Sequence, residues 1–157
     1  MKINLYTDGS AKGNPGKGGY GIVLKAGNHY KEISQGYRHT TNNRMELLAV
    51  IVGLEHLKSN KSDVVVFSDS KYVVDSVEKK WVFQWQKKGF KGKKNADLWK
   101  RFLLIYHKHN VSFQWVKGHA GHPENEKCDL LAVKASDFKD LLTDQGYEQT
   151  IDPNTLF

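Results

Sequence analysis

The chain has 157 residues and a formal net charge of +7, and its 39% hydrophobic and 26% charged residues exclude an intrinsically disordered protein. No segment approaches the ~18 consecutive apolar residues that a membrane span requires. The first residues contain no long apolar core and run straight into a polar loop, so we expect no signal peptide there. The single cysteine, Cys128, excludes an internal disulfide and favours a cytoplasmic protein, which we also expect to be monomeric.

The first half of the chain predicts three antiparallel strands followed by a helix. A glycine-rich loop separates the first two apolar runs, and the dipeptide Gly27-Asn28 is a hairpin-turn signal between the second and the third. The polar sequence Thr40-Thr41-Asn42-Asn43 then begins a segment in which apolar residues recur at helical spacing. The predicted strands cover residues 2–8, 20–24 and 30–37, and the helix continues to residue 57.

The second half alternates strands with helices, and its sequence contains no internal repeat or domain linker. Strands are predicted at residues 64–68 and 111–116, and helices at residues 70–77, 80–88, 96–107 and 124–138. Residues 139–157 are polar and are predicted to form an irregular tail. Antiparallel strands followed by strand–helix units predict one α/β domain, residues 1–157, with a mixed sheet and helices on its faces.

Two carboxylates stand at the ends of predicted strands. Asp8 ends the first apolar run, and Asp69 ends the run that begins at Val64. Ligands of open α/β sheets bind in the crevice beyond the carboxyl ends of strands, where a carboxylate suits a hard divalent cation. Glu46 and Asp129, which lie in predicted helices, are two further acids that chain reversals would bring to the same place.

Each of these four acids also has an ordinary structural explanation. Asp8 suits an Asx turn, and Asp69 suits the N-cap of the helix that follows it. Glu46 would form an Asn-x-x-Glu capping box with Asn43, and Asp129 suits the positive end of a helix dipole. None of the four acids is therefore decisive alone.

The four acids together favour metal-dependent phosphoryl chemistry. Acids that crowd the binding cleft of a basic protein repel a phosphate ligand unless divalent cations reverse the sign of the charge. Mg²⁺ accepts a few carboxylates and completes its coordination with water and substrate phosphate. Two such ions, about 3.5–4 Å apart, clamp the attacking and leaving oxygens of an in-line displacement.

Positive charge is concentrated in residues 79–101, which we call the basic segment. Eight lysines and one arginine oppose Asp97 there, so the segment carries a net charge of +8 and the remainder of the chain −1. The segment also holds three tryptophans and two phenylalanines, and lysines interleaved with aromatic rings suit a phosphate backbone with sugars or bases that stack. A helix with a solvated basic side and an aromatic core side is the alternative explanation.

The motifs of the chain resemble those of the bacterial ribonuclease HI family, in the family's order, from Ile3 to about Tyr147. They are Thr7-Asp8-Gly9-Ser10, Gly13-Asn14-Pro15-Gly16, Thr40-Thr41-Asn42-Asn43-Arg44-Met45-Glu46, Ser68-Asp69-Ser70, Trp115-Val116-Lys117-Gly118-His119-Ala120-Gly121-His122, and Pro123-Glu124-Asn125-Glu126 with Cys128-Asp129. The resemblance implies a ribonuclease H-like α/β fold. Its five-stranded mixed sheet would have three antiparallel strands, two parallel additions, and helices on both faces.

The resemblance also implies an endonuclease that hydrolyses the RNA strand of RNA–DNA hybrids with Mg²⁺, or Mn²⁺ as a substitute, and leaves 5′-phosphate and 3′-hydroxyl ends. By motif, Asp8, Glu46, Asp69 and Asp129 would be the metal ligands. His119 would move protons or aid product release. A hybrid- or duplex-binding module without catalysis is the alternative, and the presence of all four acids argues against it.

The residues that would contact the hybrid follow from the same resemblance. Proteins distinguish RNA from DNA by its 2′-hydroxyls, which need close backbone approach and small polar partners. Gly9, Asn14, Asn42, Asn43 and Glu46 are placed to supply these, although helix capping alone is the alternative for Asn42 and Asn43. The basic segment would hold the DNA strand. Its loop after Phe90 is short, which predicts a smaller contact with that strand than in the family. Its predicted contacts are Trp81, Trp85, Lys87, Lys88, Lys91, Lys93 and Lys94.

Overall fold

The computed structural model describes residues 2–59, 61–118 and 122–151, and for Thr150 and Ile151 it describes the backbone alone. The chain alternates strands and helices after an initial group of three strands. The strands are β1 (Lys2–Ala11), β2 (Gly16–Ala26), β3 (His29–Thr40), β4 (Asp63–Ser68) and β5 (Asn110–Trp115). The helices are α1 (Asn42–Glu55), α2 (Lys71–Glu78), α3 (Trp81–Lys87), α4 (Ala96–Tyr106), α5 (Pro123–Ser136) and α6 (Gln145–Ile151).

The strands form one five-stranded sheet in the order β3-β2-β1-β4-β5. The strands β1, β2 and β3 pair antiparallel, whereas β4 pairs parallel with β1 and β5 pairs parallel with β4. The predicted mixed sheet is therefore confirmed. The first three strands are longer than predicted. The strands β1 and β2 gain length because part of the glycine-rich loop belongs to the sheet, where Gly18 pairs with Ala11.

Helices cover both faces of the sheet at close range. On one face α1 packs against β1, and a side chain at Gly53 would come within 2.5 Å of Leu5. On the other face α5 lies directly on the backbone of β2, where a side chain at Gly21 would collide with the Cys128 carbonyl. Glycine at these positions therefore allows both helices to approach the strands closely. Among the described residues, no helix has the length and apolar character needed to cross a membrane.

The end of the chain differs from the predicted irregular tail. Leu142 pairs with Tyr37 in a parallel bridge beside β3, and residues 145–151 form α6. The helix is only seven residues long and includes Gly146, so its local sequence gives little helical signal. Contacts with distant parts of the chain stabilise it instead. Residues 152–157 of the predicted tail lie outside the described residues.

A buried ion-pair network attaches this end of the chain to α1. Arg44, which is 3% exposed, donates from Nε to Asp144 at 2.8 Å and from a terminal nitrogen to Asp97 at 2.6 Å. The Thr40 hydroxyl also donates to Asp144, at 2.7 Å. Arg44 holds the pKa of the Asp97 carboxyl below its usual value. The network thus joins the start of α1, the start of α4 and the segment before α6.

Candidate active site

Three of the four predicted metal ligands meet where β1, β4 and α1 come together. Asp8 lies in β1, and Asp69 immediately follows β4, the parallel neighbour of β1. Glu46 lies in the second turn of α1. One carboxylate oxygen from each of the three side chains lies within 4.8 Å of the others. This spacing is comparable with the separation of about 4 Å between opposite oxygen ligands of one Mg²⁺.

Glycine at position 9 brings Glu46 to Asp8. A side chain at Gly9 would come within 2.5 Å of the Glu46 backbone nitrogen, so only glycine allows β1 and α1 to lie this close. Gly9 therefore has a structural role toward α1, and its predicted contact with the hybrid stays a prediction.

The ordinary structural explanations for three of the acids are wrong. The N-cap of α1 is Thr41, whose hydroxyl accepts from the Arg44 amide, so Asn43 and Glu46 form no capping box. The N-cap of α2 is Ser70 rather than Asp69. Asp8 lies inside β1, which continues to Ala11, so it is not a turn residue.

Asp129 lies beside this cluster of three carboxylates but outside it. Asp8 pairs with Gly21 in the sheet, and the backbone of Cys128 lies on Gly21, which brings Asp129 to the neighbourhood of Asp8. The charge of Asp129 is one of the causes that raise the Asp8 pKa. Asp129 lies in the second turn of α5, which begins at Pro123, so it is not one of the acids of the first turn.

Burial and mutual repulsion make the cluster unfavourable in its charged form. Burial, followed by the charge of Asp69, raises the pKa of Asp8 from 3.8 to about 7. Burial and the charges of Asp8 and Asp69 also raise the pKa of Glu46 well above its ordinary value. The Oε1 atom of Glu46 is buried and has no hydrogen-bond partner among the described residues. Crowded acids with an unpartnered oxygen fit a divalent cation, because its charge removes the repulsion.

We expect the free energy of unfolding of the metal-free protein to fall as the pH rises from about 4 to about 7. Folded Asp8 keeps its proton to a higher pH than unfolded Asp8, so the folded state binds more protons in this window. Each pH unit between the pKa of unfolded Asp8 and that of folded Asp8 lowers the unfolding free energy by about 1.4 kcal/mol. Urea unfolding in EDTA at pH 5 and pH 8 measures this loss. Asp8→Asn should lose less unfolding free energy over this pH range. An equal loss in the variant would contradict the assignment of the pH dependence to Asp8.

His119 lies outside the described residues, so its predicted role stays a prediction. Its preceding neighbour does lie at the site, since a side chain at Gly118 would come within 3.3 Å of Asp69 Oδ2. The described chain after β5 therefore reaches the carboxylate cluster.

The predicted asparagines form one connected group next to the cluster. The side-chain oxygen of Asn42 accepts from the Ala11 amide at 2.5 Å, and that of Asn14 accepts from the Asn42 amide at 2.9 Å. Their side-chain nitrogens have no hydrogen-bond partner among the described residues. Helix capping alone does not explain this arrangement, because Thr41 is the cap and two amide donors stay available.

A cavity of about 900 Å³ opens beside these asparagines. Its walls come from the β1–β2 loop, the first turn of α1, the end of the loop before α4, and α6. The side chains that offer hydrogen-bond donors or positive charge to it include Asn14, Thr41, Asn43, Lys93, Lys94, Asn95 and Gln149. Sequence analysis missed Thr41 and Asn95, and the run of polar residues around each was the only signal for them.

The basic segment is anchored to the core by its aromatic residues. Trp85 packs edge-on against the buried Trp99, whose indole donates to the Tyr72 hydroxyl at 2.8 Å. Lysine ammonium groups lie over the outer rings, with Lys93 at 5.1 Å from the Trp85 ring and Lys79 at 5.3 Å from the Trp81 ring. Trp81 is 42% exposed. The rings therefore orient lysines, in addition to offering any surface for stacking.

All five predicted lysine contacts are exposed on the loop between α3 and α4 or at the end of α3. None of them forms an ion pair in the part of the chain that the structure describes. They are Lys87, Lys88, Lys91, Lys93 and Lys94. The cavity and these lysines together make one surface of positive charge and amide donors, next to a cluster of acids.

The RNase H family model matches residues 1–137. A ribonuclease H of Desulforamulus reducens is 56% identical over 140 residues, which cover 86% of this chain and 87% of the relative. The crystal structure of LC9-RNase H1, described as a type 1 RNase H with the type 2 active-site motif, is 32% identical, with a TM-score of 0.78, and covers 96% of this chain and 81% of that one. The crystal structure of LC11-RNase H1 in complex with an RNA/DNA hybrid is 28% identical, with a TM-score of 0.62. The match covers 86% of this chain and 96% of that one.

Proposed function

Because the chain belongs to the ribonuclease H family and is an endoribonuclease of that type, we propose that it hydrolyses the RNA strand of RNA–DNA hybrids with divalent cations. Mg²⁺ is the proposed cation, with Mn²⁺ as a substitute, and the products carry 5′-phosphate and 3′-hydroxyl ends. The observation that carries the proposal is the convergence of Asp8, Glu46 and Asp69 within 4.8 Å, beside a basic surface. A structural relative in complex with an RNA/DNA hybrid supports the proposed substrate.

The four acids hold the cations in this proposal. A bound divalent cation supplies Lewis acidity and a positive clamp for the phosphoryl oxygens. Asp8, Glu46 and Asp69 would be its ligands, and Asp129 would be a further ligand from α5. Glu46 is 8% exposed, so packing in α1 restricts its side chain to the cluster. A water oxygen would attack phosphorus as the P–O3′ bond breaks. The water would lose a proton and the O3′ atom would take one up, which leaves a 5′-phosphate on one product and a 3′-hydroxyl on the other. His119 is the proposed group that moves protons.

The asparagine group recognises the RNA strand in this proposal. The free side-chain nitrogens of Asn14 and Asn42 are donors next to the carboxylate cluster. They suit the 2′-hydroxyl oxygens of the wide minor groove, which DNA lacks. Asn43 faces the adjacent cavity. Replacing Asn42 would also release the end of β1, so its contribution is both structural and direct.

The cavity and the basic segment hold the DNA strand in this proposal. Positive charge and amide donors in a concave site suit backbone phosphates, which need no base-specific contacts. Lys93 and Lys94 line the cavity itself, while Lys87, Lys88 and Lys91 extend the positive surface away from it. Trp81 and Trp85 orient lysines along the same surface.

Replacing the five lysines with glutamine should raise KM and leave kcat nearly unchanged. Each lost phosphate contact lowers the slope of log K against log salt by about 0.7–0.9, so the slope should flatten clearly. Steady-state cleavage of a labelled hybrid at several salt concentrations measures both effects. An unaltered slope would remove the basic segment from substrate binding. The changes are Lys87→Gln, Lys88→Gln, Lys91→Gln, Lys93→Gln and Lys94→Gln.

Cleavage of hybrids labelled on either strand tests the proposed function. The proposal predicts that the RNA strand is cut in Mg²⁺, that the DNA strand stays intact, and that the RNA products carry 5′-phosphate ends. Binding without any metal-dependent cleavage would favour the alternative, a non-catalytic hybrid- or duplex-binding module. The cytoplasmic location and the monomeric state stay predictions from the sequence.

A further inference from the structure

A lysine outside the basic segment lies at the opposite rim of the carboxylate cluster. Lys71 is the first residue of α2, two positions after Asp69, and its side chain is exposed. Its ammonium nitrogen lies 4.7 Å from the centroid of the Trp115 ring. The same indole donates from Nε1 to the backbone oxygen of Asp69 at 3.2 Å. Trp115 therefore connects Lys71 to the residue that supplies a predicted metal ligand.

The position of this pair differs from that of the cavity. In the sheet order, β1 with Asp8 is followed by β4, which ends at Ser68 just before Asp69, and then by β5, which ends at Trp115. The cavity lies on the other side, at the β1–β2 loop and the start of α1. A duplex that crosses the carboxylate cluster would therefore meet Lys71 on the side away from the cavity.

The Trp115 ring prepares Lys71 for an anionic ligand. A free lysine side chain loses rotamer entropy when it binds a ligand, and this loss opposes binding. An ammonium group held over an aromatic face is already ordered, and its side away from the ring stays open to solvent. Lys71 forms no ion pair within the described residues, so its charge is available.

We propose that Lys71, ordered by Trp115, binds a backbone phosphate of the RNA strand beside the cleaved bond. This inference rests on the proposed function, because it assumes that the carboxylate cluster faces the RNA strand. It adds a binding residue on the β4–β5 side of the site, independent of the basic segment. Lys71 thus fixes the strand that passes Asp69, while the lysines of the basic segment hold the opposite strand.

Hybrid binding by Lys71→Gln in EDTA tests the proposal independently of cleavage. Fluorescence anisotropy should show a Kd about three- to tenfold above that of the unchanged protein, and a salt slope smaller by about 0.7–0.9. Steady-state cleavage in Mg²⁺ should show the same rise in KM with kcat within about twofold. Lys134→Gln is the matched control, because Lys134 is exposed on α5, about 16 Å along the helix axis from its start. It should leave Kd and slope unchanged.

Variants of Trp115 separate the ordering from the charge. Trp115→Leu removes the ring but not the ammonium group, so it should raise Kd while the salt slope stays close to that of the unchanged protein. Trp115→Phe keeps an aromatic face and should bind more tightly than Trp115→Leu.

Two outcomes would overturn the Lys71 assignment. One is an unchanged Kd and salt slope in Lys71→Gln, which would mean that the contact between Lys71 and Trp115 has no part in hybrid binding. The other is an unchanged slope with a lower Mg²⁺ concentration for half-maximal cleavage, which would mean that the charge acts on the metal site. Either result leaves RNA cleavage by the unchanged protein intact. Failure of that cleavage would instead refute the proposed function.

Discussion

Asp8→Asn should abolish hybrid cleavage while the protein stays folded. Asp8 is the central member of the cluster, since its pKa responds to the charges of both Asp69 and Asp129. Loss of its charge removes a ligand shared by the cation site, and Lewis-acid stabilisation is worth several kcal/mol. The rate should therefore fall by at least about 10³-fold. Single-turnover cleavage in Mg²⁺ measures this loss separately from product release.

The same change should stabilise the metal-free fold at pH 8. The unfolding free energy of Asp8→Asn in EDTA should exceed that of the unchanged protein, because the amide removes one of three crowded negative charges. Mg²⁺ should raise the melting temperature of the unchanged protein more than that of the variant. A variant that loses both activity and its folded state would show that Asp8 is structural instead.

Arg44→Met should produce the largest loss of stability of any substitution considered for this chain. Asp144 is 7% exposed, and without Arg44 its charge would stay buried. The Thr40 hydroxyl, at 2.7 Å, and the Tyr147 backbone amide, at 3.4 Å, would then have to compensate for it. Breaking a buried ion pair by removing one partner costs about 3–5 kcal/mol. For a chain of this length the melting temperature should fall by roughly 6–20 °C. Thermal unfolding followed by circular dichroism measures the change.

Arg101→Met is the matched control for this prediction. Arg101 makes the same kind of two-nitrogen contact with Glu55, at 2.6 and 2.9 Å, but its side chain is 46% exposed. Exposed pairs contribute about 0–1 kcal/mol, so this variant should unfold close to the unchanged protein. The double change Arg44→Met with Asp144→Leu should recover part of the loss. Equal melting temperatures for the two single variants would contradict the role assigned to burial.

The sequence predicts the sheet and the cluster well because their signals are local. Asp69 follows an apolar strand whose end could be located without tertiary information. Asp8 ends the first apolar run, although β1 itself continues to Ala11. Parallel pairing of β1 and β4 then brings the two carboxylates together. Glu46 had a competing explanation as a capping residue, and the family's motifs supported its place among the predicted metal ligands.

The parts that the sequence does not predict depend on distant contacts. Four consecutive residues, 40–43, are all good N-caps, so the local sequence does not distinguish Thr41, the N-cap of α1, from its neighbours. The helix α6 is stabilised through Asp144 by Arg44, which is 100 positions away in the chain. The pairing of Lys71 with Trp115 likewise joins α2 to the end of β5.

The contacts between lysines and aromatic rings likewise become visible only in the folded chain. Interleaved charges and rings in residues 79–101 fitted both stacking on bases and a core-facing helix side. In the structure Trp85 packs on the core through Trp99 and carries Lys93 on its face, whereas stacking on bases stays a prediction. A periodic pattern cannot distinguish a ring that binds a ligand from one that orients a neighbouring charge.

The central claim is that sequence-distant acids hold divalent cations, and that these cations make a basic cleft into a site for phosphodiester hydrolysis. Cleavage of a labelled RNA–DNA hybrid, titrated with Mg²⁺ from EDTA upward, tests it most directly. The account predicts no cleavage in EDTA, a saturable rise with Mg²⁺, and no rise for Asp8→Asn at any concentration. Cleavage at full rate in EDTA, or by Asp8→Asn, would contradict it.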